Sequence, residues 1–284
     1  MIIANPIYDV VFKRLMENER IAKFLIGTLL NRKIKTIQVR PQEFTYENEL
    51  AGLRIFRLDF IAIIETKTGE ERKILIEIQK AYEELDLMRF RNYLAEQYKK
   101  KDNLNGEELI LPITTIYILG FKLPEIESAC FHVERQYKDL IDNKILDKRN
   151  RFIESLTHDS YVVQVKKIGK RYQSKLDKLL SVFEQRNFIG DSEILKDYNY
   201  DVDLAEVKLM AELLYQTGAD SETRKQIAAE QEAWRSVNAL MENKDKAYKK
   251  ALEEKDKAIE KKDKAIEEKD KLIEELKRKL GMKK

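Results

Sequence analysis

The sequence predicts an α/β (α+β) chain built on a mixed central sheet, and three observations carry that prediction. Helix-spaced and strand-like segments follow one another in the order αβββαβ. One strand-like run, 113–121, is apolar throughout, the pattern of a strand buried on both faces. The charges are unevenly placed: residues 241–284 hold 16 Lys/Arg and 12 Asp/Glu, which leaves 38 and 39 in residues 1–240. A near-neutral body of domain size therefore precedes a very polar tail.

The elements follow in order. Asn5-Pro6 precedes apolar residues at helical spacing, Ile7, Val10, Val11 and Leu15, then Ile21, Phe24, Leu25 and Leu29, with Pro6 suited to a first helical turn. Residues 36–46 and 53–65 read as strands rich in Ile, Val, Phe and Tyr. Thr66-Lys67-Thr68-Gly69-Glu70 is a turn with glycine where positive φ is needed, and 72–79 is the returning strand of a β-hairpin. Helix resumes over 84–102, and Asn103-Leu104-Asn105-Gly106 breaks it before the strand at 113–121. Strand-like runs recur near 129–137 and 161–168, and helix-like ones at 173–187 and 203–217.

The tail repeats every seven residues: Lys-Asp-Lys-Ala begins at 255 and at 262, and Lys-Asp-Lys-Leu at 269. Leu252, Ile259, Ile266, Ile273 and Leu280 form one apolar stripe, whereas the second seam position holds Lys255, Lys262 and Lys269 before Leu276. A two-stripe coiled-coil core is incomplete. Glu253 with Lys257, Glu260 with Lys264 and Glu267 with Lys271 are i,i+4 pairs in the favoured order. A long charged helix follows, either solvated alone or weakly self-associating into a homo-oligomer. The domain expectation is a core over 1–125, its continuation plus helices over 126–240, and the heptad-patterned helix over 241–284.

Composition excludes several classes. With 37% charged residues, 9 Gly and 4 Pro, the chain is neither collagen-like nor Gly/Ser low-complexity. No apolar run approaches membrane-spanning length, and the N-terminus lacks the pattern of a signal peptide, so a cytoplasmic protein is expected. Cys130 has no second cysteine to pair with, and with only His132 and His158 it builds no zinc site of usual spacing; a core thiol is the expectation. Neither a Gly-rich phosphate loop nor a Ser/His/Asp or Cys/His arrangement is present.

Chemistry concentrates in the 53–79 hairpin. Asp59 interrupts one apolar strand, and Glu77 and Gln79 interrupt the other. Strand period two puts Leu75, Glu77 and Gln79 on one face, and antiparallel pairing brings Asp59 beside Glu77 there. Two carboxylates in an apolar sheet repel and lose hydration, so they need cations or donors. Ion pairs with Arg54, Arg57, Arg72 or Lys73 would serve, and so would a Mg²⁺ ion, typically held by one or two carboxylates with waters and phosphate oxygens.

Asp59 followed by Glu77-Ile78-Gln79 resembles the D…(D/E)xK core of the PD-(D/E)XK nuclease superfamily. The likeness is closer to its transposase-like branch, the recombination-promoting nuclease/putative transposase family, whose last position is often Gln. Asp9-Val10-Val11-Phe12-Lys13 is similar to that branch's N-terminal D-x-x-F-K signature. Arg89, Arg91 and Tyr93 resemble its basic/aromatic helix, and Gly106 with Leu111-Pro112-Ile113 its next loop and strand. The likeness covers residues 1–125 well. It implies a restriction-endonuclease-like fold and a metal-dependent DNA endonuclease using Mg²⁺ or Mn²⁺. Asp59 and Glu77 would be metal ligands, Gln79 would stand in place of the superfamily lysine, and Asp9 would be an additional acidic position, unless it serves only as a cap or surface residue. Lys80 is adjacent but points to the opposite face of a regular strand. DNA would be met by Arg89, Arg91 and Lys99, with Lys100, Lys101, Tyr93 and Tyr98 nearby. A second basic run, Lys166, Lys167, Lys170, Arg171 and Lys175, is a further candidate or simply surface. The rival expectation is a catalytically weakened nuclease-fold protein that binds DNA or protein and assembles through its C-terminal helix.

Overall fold

The computed structural model of the chain describes residues 1–48, 53–80, 84–104, 107–169, 173–190 and 193–279. Within that range the side chains of Asp59, Arg54, Arg57, Arg89 and Trp234 lie outside the description, and Gly106, Lys170 and Arg171 lie outside it altogether. The chain opens with β1 (Ile2–Ala4), α1 (Asp9–Glu17) and α2 (Glu19–Leu29). A meander follows, β2 (Ile34–Asn48), β3 (Leu53–Thr66) and β4 (Glu71–Gln79), then α3 (Glu84–Lys99). Next come β5 (Asp102–Leu104), β6 (Glu107–Leu109), β7 (Ile113–Leu119), β8 (Cys130–Val133), β9 (Tyr137–Lys138), β10 (Ile145–Leu146) and α4 (Arg151–Leu156). The remainder is β11 (Asp159–Gln164), α5 (Lys175–Ser181), β12 (Leu195–Asp197), α6 (Ala205–Ala219) and α7 (Ser221–Lys279).

The main sheet has six strands in the order β2-β3-β4-β7-β11-β8. The meander strands pair antiparallel, β7 pairs parallel to both β4 and β11, and β8 closes the edge antiparallel. The fold is therefore mixed α/β with helices on the sheet, and α3 is the crossover between parallel neighbours β4 and β7. Residues beyond 126 supply two of the six strands, so they complete the sheet rather than form a separate layer. Two compact units are distinguished, Met1–Glu230 and Gln231–Lys284. None of the described helices is long and apolar enough to cross a membrane.

Strand alternation divides the apolar residues between two cores. Phe60, Ala62, Ile64, Ile74, Ile76, Ile78, Ile116 and Ile118 face α1 and α2, where Phe12 meets Phe60 edge-to-face at 5.1 Å. Ile61, Leu75 and Ile113 face the other way, under Phe90 and Tyr93 of α3. Gly69 turns the β3–β4 hairpin at φ 79°, as the turn chemistry requires.

Several boundaries differ from expectation. The first helical segment is two helices, because Asn18 is extended and its side chain caps α2 by accepting from Ile21 N at 3.2 Å. Pro6 precedes α1 instead of opening it: Asn5 Oδ1 accepts from Ile7 N at 3.3 Å, which sets a turn there. The helix expected to reach 102 ends at Lys99, and the 173–187 helix is only α5, opened by a Ser174–Asp177 capping box. Strands β1 and β12 pair across nearly the whole body, a contact that three-residue runs do not announce.

Candidate active site

Strand β4 is buried along most of its length, and parallel pairing with β7 sets Glu77 beside Tyr117. Glu77 is 2% exposed, on the α3 side of the sheet together with Leu75 and Ile61. Burial, with the Glu77 charge nearby, pushes the Tyr117 phenol far above its ordinary range, so it stays protonated at any physiological pH. The last β3–β4 pair is Phe60 with Ile76. Strand β3 runs on through Asp59, whose side chain lies outside the described residues. Gln79, two residues on, follows Glu77 on that face at intermediate exposure, and its carbonyl accepts from Gly120 N at 2.7 Å.

Of the cations offered as structural partners for these carboxylates, Arg72 and Lys73 are described and have partners of their own. Arg72 binds Glu70 at 2.6 Å and Glu154 at 3.5 Å. Lys73 is 1% exposed and pairs with Asp102 at 2.6 Å. It shares a face with Glu77 but sits four residues away, roughly 13 Å along the strand.

Asp9 and Lys80 belong to the opposite face, at the same end of β4. Asp9 is buried in the first turn of α1, and its backbone N–H donates to Glu230 Oε1 at 3.1 Å. The same carboxylate oxygen accepts from Lys80 Nζ, which also lies 4.1 Å from the centre of the Tyr8 ring. A carboxylate at a helix N-terminus complements the dipole there. Lys80 therefore has work on the α1 face. Gly120 permits the local crowding, since a Cβ there would come within 2.9 Å of the Lys80 carbonyl oxygen.

On α3, Arg91 and Lys99 are exposed, and Lys99 pairs with Glu96 at 2.7 Å. Arg89 falls among the side chains outside the description. The aromatic half of the expected nucleic-acid surface does not stand: Tyr93 is 5% exposed against Phe90, and Tyr98 bonds His158 Nδ1 at 2.8 Å. Burial and the Arg135 charge hold His158 below its usual range, so it is neutral near pH 7. Lys167 of the second basic run is tied to the Leu123 carbonyl at 2.9 Å, and Lys175 lies over the Phe24 ring at 5.0 Å. Cys130 is partly buried in β8, and burial raises its thiol to about 11, which suits an inert thiol and not a nucleophile.

At the other end of β4 a cavity of about 460 Å³ is lined by Arg32, Arg72, Arg149, Glu154, Asp159 and Tyr161, among others. Its hub is Glu154, which accepts from Tyr137 at 2.6 Å, Arg135 at 2.9 Å and Arg149 at 3.3 Å. Burial raises the Glu154 pKa, but those hydrogen bonds and guanidinium charges outweigh it and hold the carboxyl below its usual range. Asp159 is lowered for the same reason, paired to Arg135 at 2.8 Å. Sequence reasoning missed this network, because its members come from β4, β9, β11, α4 and two loops and share no spacing.

Among the described residues, no group of three or more His, Cys, Asp or Glu is placed to hold a metal. Two carboxylates from adjacent strands and an amide oxygen nonetheless suit a hard divalent cation that keeps several waters, which is how Mg²⁺ is commonly bound. Compared with known proteins, the chain matches no family model, no curated protein and no solved structure.

Proposed function

We propose that the chain is a metal-dependent DNA endonuclease of PD-(D/E)XK type, with its active site where β3 and β4 carry Asp59 and Glu77. The observation that carries this reading is a carboxylate, Glu77, only 2% exposed on β4, the strand that pairs antiparallel with the Asp59-bearing β3. The order of α1–α2, the β2-β3-β4 meander, α3 and a β7 parallel to β4 supports it, since it is the element order the resemblance implies. Asp59 and Glu77 would hold Mg²⁺ or Mn²⁺, which when bound supplies positive charge that acidifies an attacking water and stabilises the phosphate under attack. Gln79 can orient a water or a phosphate oxygen by hydrogen bonding, but a neutral amide takes no proton. Arg91 and Lys99 offer exposed charge to the DNA backbone on the helix above that face.

A second reading is favoured by one observation: Lys80, the nearest lysine to the vacant superfamily position, is engaged by Glu230 and Tyr8 on the other face. On that reading the chain binds DNA or protein with weakened catalysis and assembles through its C-terminal helix. Supercoiled plasmid incubated with Mg²⁺ or Mn²⁺ separates the two. Nicking by the wild type that is lost in Glu77→Gln supports the nuclease. Salt-dependent binding without metal-dependent nicking supports the weakened protein.

A further inference from the structure

Residues 1–240 carry 38 basic and 39 acidic side chains, so a patch of one sign on the body is a local arrangement and not a bulk property. One groove departs from that balance. A cavity of about 810 Å³ opens beside α2, bordered by the turn into β2, the β3–β4 turn and α5. Six cations line it: Arg20, Lys23, Arg32, Lys33, Lys67 and Lys175. Three carboxylates line it with them, Glu17, Glu19 and Glu206, which leaves three positive charges in excess. Two of the three are already engaged, Glu19 by Lys23 at 2.7 Å and Glu206 by Arg20 at 3.1 Å.

The other four cations are loosely answered. Lys33 and Lys67 are exposed and make no ion pair among the described residues. Arg32 comes no closer than 3.9 Å to Glu70, a carboxylate that Arg72 holds at 2.6 Å. Lys175 is exposed over the Phe24 ring at 5.0 Å. Backbone geometry brings these charges together. Asn31 turns the chain at φ 51°, and Arg32 N donates to the Gly27 carbonyl at 2.9 Å. A Cβ at Gly27 would come within 2.8 Å of the Arg32 carbonyl oxygen, so the close turn requires glycine there. Lys67 N then donates to the Lys33 carbonyl at 2.9 Å, which fixes the β3–β4 turn against the turn before β2. Like charges gathered in this way repel, and counter-charge from solution relieves them.

We infer that this groove binds the phosphate backbone of DNA, at a site apart from Asp59 and Glu77. The lining chemistry favours a polymer over a small phosphate compound. Phe24 is the only aromatic among the described lining residues and Lys175 covers it, so the groove offers charge without a platform for a base. One phosphate held by charge alone is readily displaced by salt. A strand that sets phosphates against several cations releases several counterions as it binds. Such contacts position the backbone and read no sequence. The inference rests on the proposed function for its partner, DNA, and on none of the metal chemistry.

Fluorescence anisotropy of a labelled duplex of about 20 base pairs tests it, with the full chain in EDTA from about 50 to 200 mM salt. The double variant Lys33→Gln with Lys67→Gln should lower the slope of log affinity against log salt by about 2 and weaken binding by about 10-fold or more. Lys33→Arg with Lys67→Arg should keep the slope. Both lysines are exposed, so circular dichroism and melting of the variants should match the wild type. Loss of slope in the glutamine variant upholds the groove whether or not plasmid is nicked in Mn²⁺; absence of nicking there counts against the nuclease reading alone. A wild type that does not bind the duplex, or a glutamine variant with unchanged affinity and slope, overturns the proposal. So does ATP binding at about 150 mM salt that needs both lysines when duplex binding does not.

Discussion

The two ends of strand β4 bury carboxylates in different surroundings. At the Arg72 end, Glu154 and Asp159 are answered by three named guanidiniums and a phenol, drawn from strands, helix and loops. At the Glu77 end, Lys73 of the same face pairs with Asp102, and Arg72 of the opposite face with Glu154. The first arrangement is what a stable fold does with charge it must bury. The second is the one proposed as catalytic, on the burial of Glu77 and the resemblance of its strand motif.

The largest effect expected is at the Glu77 end. Asp59→Ala or Glu77→Gln should lower metal-dependent cleavage by about 1,000-fold or more, some 4 kcal/mol of barrier, with little change in urea stability. The same cleavage rate in either variant would erase the functional half of the contrast. At the Arg72 end the outcome should invert. Glu154→Ala removes the partner shared by three guanidiniums, which keep Glu70, Asp159 and Glu134, and should cost about 2–3 kcal/mol of unfolding free energy, read by urea denaturation.

The acid response should follow that network. Glu154 and Asp159 both titrate below their ordinary range in the folded protein, so their stabilisation is complete at neutral pH. It is lost as pH falls through their folded pKa values, and Glu154→Gln should flatten the loss of stability below about pH 4. A smaller effect is expected where the two faces meet at the end of β4. Gly120→Ala forces the Lys80 backbone to shift and should cost about 1–3 kcal/mol, with reduced cleavage as Gln79 moves. The smallest effect belongs to α3: Arg91→Ala should reduce the salt slope of DNA binding by about 1 and leave cleavage chemistry intact.

Much of the Glu77 end was legible in sequence because strand alternation is local. Two apolar runs, each interrupted by a carboxylate and joined by a glycine turn, define the β3–β4 hairpin. Helix α3 was legible as a helix, but its aromatics were not. Tyr93 sits three residues from Phe90, a spacing that serves a core stripe as well as a stacking surface, and burial against Ile61 and Leu75 decides for the core. The Arg72 end was not legible at all. Glu154, Arg135 and Arg149 stand in segments without strong periodicity, and only the placement of β11 between β7 and β8 brings them together. Lys80 was placed by sequence on the face away from Glu77, and its partner there, Glu230, comes from 150 residues away.

The central claim is that Asp59 and Glu77 form one cation site, and Mn²⁺ binding followed by electron paramagnetic resonance tests it most directly. The account predicts a bound Mn²⁺ in the wild type that is lost in Asp59→Asn and in Glu77→Gln and kept in Glu154→Gln. Mn²⁺ binding that persists unchanged in both Asp59→Asn and Glu77→Gln would contradict it.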